Sequence, residues 1–454
     1  MALATLYDPI DLKCDHFGGM VRPCLARWLN RIQVILFVIA WNLSFDVANA
    51  CPVLLKGVEM QPFPTVSRHE IKAFAVEQTA RGTFWKEIPL QIDPLDRDGD
   101  LIFFQEPSWR REQLTFQDRI ALKPSDFGPA HPRPSDLPCT TTFANKVTLK
   151  SDPARAAWIM GCRGPVAATT KSLPSGKPDL VQYQESGATL TSNNFTYAFN
   201  KKNQMLFESI VLNGFGPLAS KADLSIRSDV KKFFTLNFDS SDVESYIELY
   251  RTGPVAVVAR VSFYLKILFF KIKLALMTDV SFFDDAALIP MFISLPKSGR
   301  DHLHPGSGMI YSWKMDQEGS KIRERVQLPE IQPQVVRAGY QQLAEVGRRF
   351  CEGDMCRFGY GVVADGKGLQ LDFGIRRRLV EMGLFPQLVR DINPTRNALD
   401  WRRDRIGDLR DRRGLYLETS GLEEGEHQFD LWLRIGQEQN WQSTCPTPAL
   451  VSGL

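Results

Sequence analysis

The stretch Val255–Phe283, VAVVARVSFYLKILFFKIKLALMTDVSFF, is the most strand-prone part of this chain. It is dominated by β-branched, aliphatic and aromatic residues, which favour a pleated and half-buried surface. A membrane-spanning segment is the alternative, but Lys266, Lys271 and Lys273 interrupt the stretch, and a charge at the centre of a bilayer is costly. We therefore predict a pair of buried strands that belong to a β-sandwich.

Shorter segments on both sides of this stretch also have strand character. Val66–Glu77 and Phe84–Ile92 alternate in part between apolar and polar residues. Asn194–Phe207 predicts a hairpin whose polar turn is Asn200–Asn203. In His427–Ile435 apolar residues alternate with mostly polar ones, which indicates a final edge or hairpin strand. Many short strands at this spacing favour sandwiches over alternating strand and helix units.

The length of 454 residues predicts more than one domain. After Pro333 the pattern changes, because Val335–Phe350 and Ile375–Ile392 have helical spacing, although Pro386 breaks or kinks the second segment. The predicted fold class is mainly β, with two or more β-sandwich-like domains and a helical or irregular insertion near the C-terminal end. The predicted divisions are a signal peptide at 1–50, an N-terminal β domain at 51–165, a central β-sandwich at 166–330, a helical and Arg-rich insertion at 331–420, and one or more strands at 421–454 that complete the β domain.

The first 50 residues have the pattern of an export signal. Arg27 and Arg31 flank the start of the apolar run Ile32–Phe45, and Ala48–Ala50 supplies the small residues that a signal peptidase requires. The run is shorter than the roughly 20 residues that a membrane-spanning helix needs. A buried core helix is the alternative. We expect cleavage after Ala50, so that the mature chain begins at Cys51.

A start at Met20 would give this signal a more usual length. The segment Val47–Ala50 is a poor lipobox, so lipid attachment at Cys51 is not expected. The expected destination is the periplasm or the exterior, with no membrane span after cleavage.

Six cysteines follow Ala50, an even number that suits disulfide pairing in an exported protein. Six cysteines allow 15 pairings. The candidates by proximity along the chain are Cys351 with Cys356, Cys139 with Cys162 and, by remainder, Cys51 with Cys445. The spacings typical of structural zinc sites and of haem attachment are absent from the sequence.

An acidic turn is a candidate calcium site, and its residues are Asp93, Asp96, Asp98 and Asp100. Alternate Asp residues in a tight turn can direct several carboxylate oxygens at one Ca²⁺ ion. The last three have the 1-3-5 spacing of an EF-hand loop, but Gly99 stands at position 4 and Pro107 at position 12, so the loop is not an EF-hand. The alternative is a polar hairpin turn. Apart from this possible Ca²⁺, no cofactor is predicted.

A second candidate metal site is Asp301, His302 and His304. In an extended chain the two histidines face the same way and could bind one metal. Histidines of a solvated loop are the alternative.

The segment from Ile375 to Arg413 has eleven Arg, six Asp or Glu and no Lys, which gives a local charge of +5. Guanidinium groups suit carboxylates and phosphates, and an indole can stack on a sugar. The candidate ligand-binding residues are Trp401, Arg402, Arg403 and Arg405. The alternative is a surface network of ion pairs.

The formal net charge of +3 gives no reason to expect a nucleic acid partner. The segments at 88–103 (IPLQIDPLDRDGDLIF), 114–122 (LTFQDRIAL), 253–260 (GPVAVVAR) and 305–313 (PGSGMIYSW) resemble a pattern in uncharacterised exported bacterial proteins. The resemblance covers roughly a tenth of the chain. It implies a periplasmic or secreted β-rich protein and carries no site residues.

The sequence contains no nucleophile elbow, because Gly306–Gly308 lacks the G-x-S-x-G pattern. We predict an exported cell-envelope protein, a non-enzymatic β-sandwich module that binds a glycan or another envelope component. The alternative is a carbohydrate-active enzyme, a polysaccharide lyase or hydrolase, on a similar scaffold. A scaffold protein with a large apolar patch is a third possibility.

Overall fold

The structure, a computed structural model, describes residues 52–60, 66–80, 82–97, 100–103, 112–131, 136–149, 152–164, 179–183, 187–230, 234–238, 242–267, 270–295, 307–316, 323–328, 331–335, 351–352, 354–382, 384, 386–389, 412–419, 422–423, 425–437 and 448–452. The expected signal peptide at 1–50 lies outside these ranges, so export stays a prediction.

Nearly all regular structure in the described residues is β. The strands of the first half are β1 (Val53–Lys56), β2 (Ile71–Thr79), β3 (Gly82–Ile88), β4 (Leu90–Asp93), β5 (Arg119–Leu122), β6 (Gly128–Pro129), β7 (Thr140–Leu149), β8 (Asp152–Arg163), β9 (Asp179–Tyr183), β10 (Gly187–Thr191), β11 (Phe195–Phe199), β12 (Phe207–Leu212), β13 (Gly216–Val230) and β14 (Phe234–Phe238). Short 3₁₀ turns lie at Gly57–Glu59, Arg68–Glu70 and Pro124–Asp126.

The second half follows the same pattern. Its strands are β15 (Val243–Thr252), β16 (Val257–Ile267), β17 (Phe270–Phe282), β18 (Ala286–Leu295), β19 (Gly308–Met315), β20 (Arg323–Leu328), β21 (Ile331–Val335), β22 (Cys351–Glu352), β23 (Met355–Ala364), β24 (Lys367–Arg376), β25 (Pro386–Val389), β26 (Arg412–Glu418), β27 (Gly425–Gln437) and β28 (Pro448–Ser452). The described residues also contain the short helix α1 (Arg377–Glu381).

Two large antiparallel sheets form the larger sandwich. The nine-stranded sheet has the order β25-β26-β19-β13-β12-β11-β10-β9, with β14 paired to β13. The ten-stranded sheet has the order β15-β16-β17-β18-β27-β24-β23-β20-β21, with β22 paired to β23. Buried apolar side chains from both sheets form one core between them, including Phe207, Trp313, Tyr360 and Leu433. The mainly β fold class with sandwich-like domains is therefore confirmed.

The opening stretch behaves as predicted, because it forms the antiparallel pair β16 and β17. Val257, Ala259 and Val261 point into the core between the sheets. The predicted hairpin at Asn194–Phe207 is also present as β11 paired with β12.

Strand β27 differs from its prediction as an edge or hairpin strand. It pairs with β18 on one side and β24 on the other, so it is an internal strand. Its alternate residues Asp430, Trp432 and Arg434 suggested a solvent-facing side. They face another part of the protein instead, and this arrangement creates the site described below.

The segment 331–420 contains less helix than its spacing predicts. The described helix covers only Arg377–Glu381, and Pro386 begins a strand at the edge of the nine-stranded sheet, where proline is tolerated. Ahead of the helix, β23 and β24 form a hairpin through Asp365-Gly366, both with positive φ. Asp-Gly is a preferred pair for such two-residue turns. The described part of this segment therefore adds strands to both large sheets, whereas residues 336–350 lie outside the description.

A smaller sandwich precedes the large one. Its three-stranded sheet, in the order β1-β5-β4, packs against a six-stranded sheet in the order β28-β7-β8-β2-β3, with β6 paired to β8. Side chains such as Leu55 and Ile120 from one sheet and Ala73 and Ile159 from the other form the core. Strand β28 joins this sheet by pairing with β7.

The opposite face of the six-stranded sheet carries Phe74, Trp85 and Trp158 in a second buried cluster. The Cys139–Cys162 disulfide lies beside it, which confirms that predicted pairing. Cys356 is also disulfide-bonded, and the strand register places Cys351 directly opposite it.

Replacing Leu433 by Ala should destabilise the large sandwich by about 2–5 kcal/mol, because its side chain is almost fully buried between the sheets. Urea unfolding followed by tryptophan fluorescence measures this change. The control is Leu137→Ala, since Leu137 is 44% exposed and its loss should cost less than about 0.5 kcal/mol. Equal losses in the two variants would contradict the assigned core.

Candidate functional site

The face of the ten-stranded sheet that points away from the large core is polar. Side chains alternate along a strand, so the residues between core positions of β27 and β24 share this second face. Those residues are Asp430, Trp432, Arg434, Gln370, Asp372 and Gly374. Part of the small sandwich covers this side of the sheet, through polar contacts and through apolar clusters such as that of Ala121 with Phe283.

Arg119 on β5 connects the small sandwich to this polar face. Its Nε and Nη2 atoms donate to Asp93 Oδ2 at 3.1 and 2.7 Å, and Nη2 also donates to Ser281 Oγ on β17 at 2.7 Å. Arg251 on β15 forms an ion pair with the other oxygen of Asp93. Three strands from both sandwiches therefore meet at one carboxylate.

Gln91 extends the same contact. Its Nε2 donates to Asp93 Oδ1 at 2.8 Å, and its Oε1 accepts from the backbone N–H groups of Val255 and Ala256. Gly253 lies so close to this amide that an added Cβ would be 2.2 Å from Oε1. A side chain at position 253 would therefore displace Gln91.

Asp93 is a salt-bridge centre here rather than an open ligand. Burial alone would raise its pKa, but Arg119 and Arg251 outweigh burial and hold that pKa below its usual value. Asp96 Oδ1 accepts from the backbone N–H of Asp100, which shapes the following turn. Asp98 lies outside the described residues. No group of three or more His, Cys, Asp or Glu within the described ranges is arranged to hold a metal ion. Calcium at this turn stays a prediction.

A set of residues on the polar face, all half-exposed except for one buried carboxyl, forms the best candidate for ligand binding. Gly374 lies directly opposite Asp430 on β27 and Arg357 on β23. Trp432 follows Asp430 on the same face, and Asp372 precedes Gly374. We call Arg357, Asp372, Gly374, Asp430 and Trp432 the seam site. Because glycine has no side chain, no side chain of β24 stands between Arg357 and Asp430 at this position.

Two sides of the seam site are chemically distinct. The Trp432 ring packs against Phe283 with centroids 5.9 Å apart, in a buried cluster that includes Ala121 of the small sandwich. Asp372 is buried, and it pairs with Arg434 at 3.2 Å and accepts from Gln370 Nε2. The Trp432 indole therefore lies at one side of the seam site, and the Asp372 carboxyl lies at the other.

Both carboxyls of the seam site hold their protons more tightly than usual. Burial raises the pKa of Asp430, and this effect outweighs Arg119 and Lys56 nearby. Burial likewise raises the pKa of Asp372 despite the adjacent Arg434. Carboxyls of this kind can donate hydrogen bonds or act as general acids closer to neutral pH.

A second acidic group lies at the turn between β17 and β18. Lys123 of the small sandwich bonds Asp284 at 2.5 Å, and Ser192 Oγ donates to the Asp284 carbonyl at 3.0 Å. Burial raises the pKa of the next residue, Asp285, to about 8, with Arg434 acting in the opposite direction. Arg434 therefore lies between this turn and Asp372 of the seam site.

The remaining predicted site residues lie outside the described residues. They are Asp301, His302 and His304, Trp401, Arg402, Arg403 and Arg405, and the pair Cys51 and Cys445. Each of these assignments stays a prediction. The seam site itself carries no sequence motif. Its one readable signal is the set of polar residues at alternate positions in β27, which looked like an ordinary solvent-facing side.

No protein-family model matches this chain, and no curated protein matches it. Among solved structures, an alpha-mannosidase from Enterococcus faecalis V583 matches with a TM-score of 0.40 and 9% sequence identity. The match covers 88% of this chain and 43% of that structure, so the chain spans less than half of the mannosidase's length. At this level of similarity neither activity nor site residues transfer. In the described part of the chain, the helix is too short and too polar to span a membrane.

Replacing Asp93 by Asn should destabilise the protein by about 3 kcal/mol or more, because Arg119 and Arg251 would lose their shared counter-charge in a largely buried place. Chemical denaturation measures the loss. Asp96→Asn is the control, since an amide oxygen can still accept from Asp100. A loss for Asp93→Asn no larger than that of the control would contradict the role of this ion pair.

The free energy of unfolding should depend on pH between about 4 and 8 because of Asp285. Its pKa is higher in the folded state than the usual value near 3.9, so the folded protein binds the extra proton and loses stability as pH rises through this window. The groups facing it are Asp284, Lys123 and Arg434. Asp285→Asn imitates the protonated form, so its stability relative to the native protein should increase from pH 5 to pH 8.5. Urea midpoints across this range that shift equally in both proteins would contradict the assignment.

Proposed function

We propose that this protein is an exported, non-enzymatic cell-envelope protein that binds a glycan at the seam site. The observation that carries the proposal is the strand register, which places Arg357 and Asp430 on either side of Gly374, with the Trp432 indole next to Asp430 on the same face. An indole can cover the apolar face of a sugar ring, while carboxyls and guanidinium groups bond its hydroxyls. The half-exposure of Arg357, Asp430 and Trp432 leaves these groups accessible in part.

Export rests on two further supports. The sequence predicts a signal peptide ending at Ala50. The disulfide between Cys139 and Cys162 fits an oxidising compartment, since such bonds rarely persist in the cytosol. Together they favour a glycan of the cell envelope as the ligand.

A carbohydrate-active enzyme is the second candidate function, favoured by the placement of Asp372 and Asp430. These residues are diagonal neighbours on adjacent strands, a relation that places Cβ atoms about 7–8 Å apart. Glycosidases use two carboxyls separated by roughly 5–9.5 Å. The raised pKa of Asp430 suits a general acid.

Binding should weaken at least about tenfold when Asp430 is replaced by Asn or when Gly374 is replaced by Val, which places a side chain between Arg357 and Asp430. A hydrogen bond to a charged group contributes about 1.5–3 kcal/mol, which corresponds to tenfold or more. Calorimetric titration with neutral glucans, mannans, uronate oligomers and peptidoglycan fragments measures the change. Lys266→Gln is the control, because Lys266 is exposed on a distant part of the same face. Unchanged affinity of both site variants for every glycan would exclude the seam site as the glycan-binding site.

An assay for new reducing ends released from a bound glycan would distinguish a binding module from a carbohydrate-active enzyme. A binding module should release none over hours. An enzyme should release them, and Asp372→Asn should then lower kcat by about a hundredfold or more. Turnover that survives both Asp372→Asn and Asp430→Asn would place any catalysis elsewhere.

A further inference from the structure

The hairpin formed by β16 and β17 ends in a run of apolar residues. The two strands pair as far as Ile267 opposite Phe270, and only Leu268 and Phe269 connect them along the chain. Two-residue connections of this kind favour Asn-Gly, Asp-Gly or Gly-Gly, because the usual turns require positive φ, and a connection that faces water is normally polar. Four consecutive apolar residues at this position therefore indicate a chain reversal that suits apolar surroundings. We call residues 267–270 the hairpin tip.

The ten-stranded sheet is narrow where the hairpin tip lies. On one side, β15 pairs with β16 as far as Leu265. On the other side, β17 pairs with β18 only at Ser281 and Phe282, whereas β18 pairs with β27 along its whole length. The tip therefore lies at the end of a ribbon of three strands, and within the described strands Ile267 and Phe270 pair only with each other.

Two tyrosines lie behind the hairpin tip, on the face that points away from the large core. Tyr264 is three residues before Ile267 along β16, and Tyr246 is on the neighbouring strand β15. Their rings are half-buried and meet edge to face, with centroids 5.7 Å apart. The hydroxyl of Tyr246 donates to Glu244 and that of Tyr264 donates to Glu248, both at 2.7 Å. Both rings are therefore held in fixed orientations.

Three exposed lysines share this face with the tyrosines. Lys266 and Lys271 lie opposite each other immediately behind the tip, and Lys273 lies opposite Tyr264. The ammonium groups of Lys271 and Lys273 lie 5.0 and 5.9 Å from the centres of the two tyrosine rings and pair with the two glutamates just named. Three lysines against two glutamates leave this group with one net positive charge. We call the two tyrosines and three lysines the Tyr-Lys band.

This order of side chains is that of a membrane surface. At the boundary between lipid and water, apolar groups point into the hydrocarbon, tyrosine rings lie among the headgroups, and lysines bury their stems while the ammonium stays in water. The three residues from Tyr264 to Ile267 span about 10 Å at ~3.3 Å per residue. Interfacial apolar groups reach about 5–10 Å into this boundary. The lysines that argue against a membrane-spanning segment therefore suit a hairpin that enters only the surface of a bilayer.

We propose that the hairpin tip inserts into the surface of a lipid bilayer. The four apolar side chains enter the outer part of the hydrocarbon, and the Tyr-Lys band lies at the level of the headgroups, where the lysines bond phosphate oxygens. The net positive charge of this group favours bilayers that contain anionic lipid. This binding is independent of glycan binding, because the seam site belongs to β23, β24 and β27.

The first test removes the apolar tip and keeps the turn. Leu268→Asn combined with Phe269→Gly introduces a preferred two-residue connection, so urea unfolding should show no loss of stability. Binding to vesicles of phosphatidylglycerol and phosphatidylcholine in equal parts, measured by flotation, should weaken at least about tenfold, because full burial of one Leu or Phe side chain corresponds to a factor of ten or more. Absence of saturable binding by the native protein, or equal binding by the variant, would overturn the proposal.

The matched control is Phe116→Ser, since Phe116 is 58% exposed in the loop before β5. This variant should bind the vesicles as the native protein does. An equal loss in the control and in the tip variant would mean that exposed aromatic residues bind lipid wherever they lie, and would contradict a specific tip. The apolar run Ile32–Phe45 is common to all three proteins, so differences between them do not come from it.

A measurement on the unchanged protein locates the contact with lipid. Hydrogen–deuterium exchange followed by mass spectrometry should become slower in peptides within 262–277 when vesicles are added, and should not change in peptides within 112–122. Unaltered exchange at 262–277 with saturating lipid would contradict insertion of the tip.

A second copy of the chain is the competing occupant of the hairpin tip. Sedimentation equilibrium without lipid should give the same oligomeric state for the native protein and the tip variant. A dimer that dissociates in the tip variant would assign the tip to a second copy and overturn the proposal.

Discussion

The contact between the two sandwiches depends on one buried carboxylate, that of Asp93. Its oxygens are shared by Arg119 of the small sandwich and Arg251 of the large one. A buried charge is tolerated only with partners, so the three-stranded sheet can lie against the polar face only where both guanidinium groups reach this carboxylate. The same Arg119 is close enough to Asp430 to influence its pKa. Arg119, which helps to join the sandwiches, therefore also acts on the seam site, where it lowers the pKa of Asp430 against the larger effect of burial.

The ten-stranded sheet separates two environments of opposite character. Because successive side chains point to opposite faces, Leu431 contributes to the apolar core while Asp430 and Trp432 contribute to the polar face. A shift of β27 by one residue would exchange the two sets of side chains, and its pairing on both edges prevents such a shift.

The fold class could be predicted because it depends on composition and local alternation. Val255–Phe283 and Asn194–Phe207 contain enough β-branched and aromatic residues for their strands to be recognised without tertiary contacts. The Asp365-Gly366 turn is a local signal of the same kind, but the predicted helical or irregular insertion at 331–420 contained no hairpin there. Asp93 could not be understood from sequence, because its partners Arg119 and Arg251 are distant along the chain. Alternate Asp residues indicated a calcium turn, and nothing local showed that the first would face two guanidinium groups. Asp430 and Trp432 were missed for a related reason, since a polar strand face that meets another domain has the pattern of one that meets water.

Strand β28 makes completion of the small sandwich depend on synthesis of nearly the whole chain. It pairs with β7 although about 300 residues separate Pro448 from Leu149. Closing so long a loop is slow and entropically unfavourable until the intervening chain is folded. The six-stranded sheet must therefore wait with the edge of β7 unpaired while the large sandwich forms. An unpaired edge of this kind can join the edge of another chain, so the period before β28 arrives is when this protein is most exposed to misassembly and most in need of a chaperone.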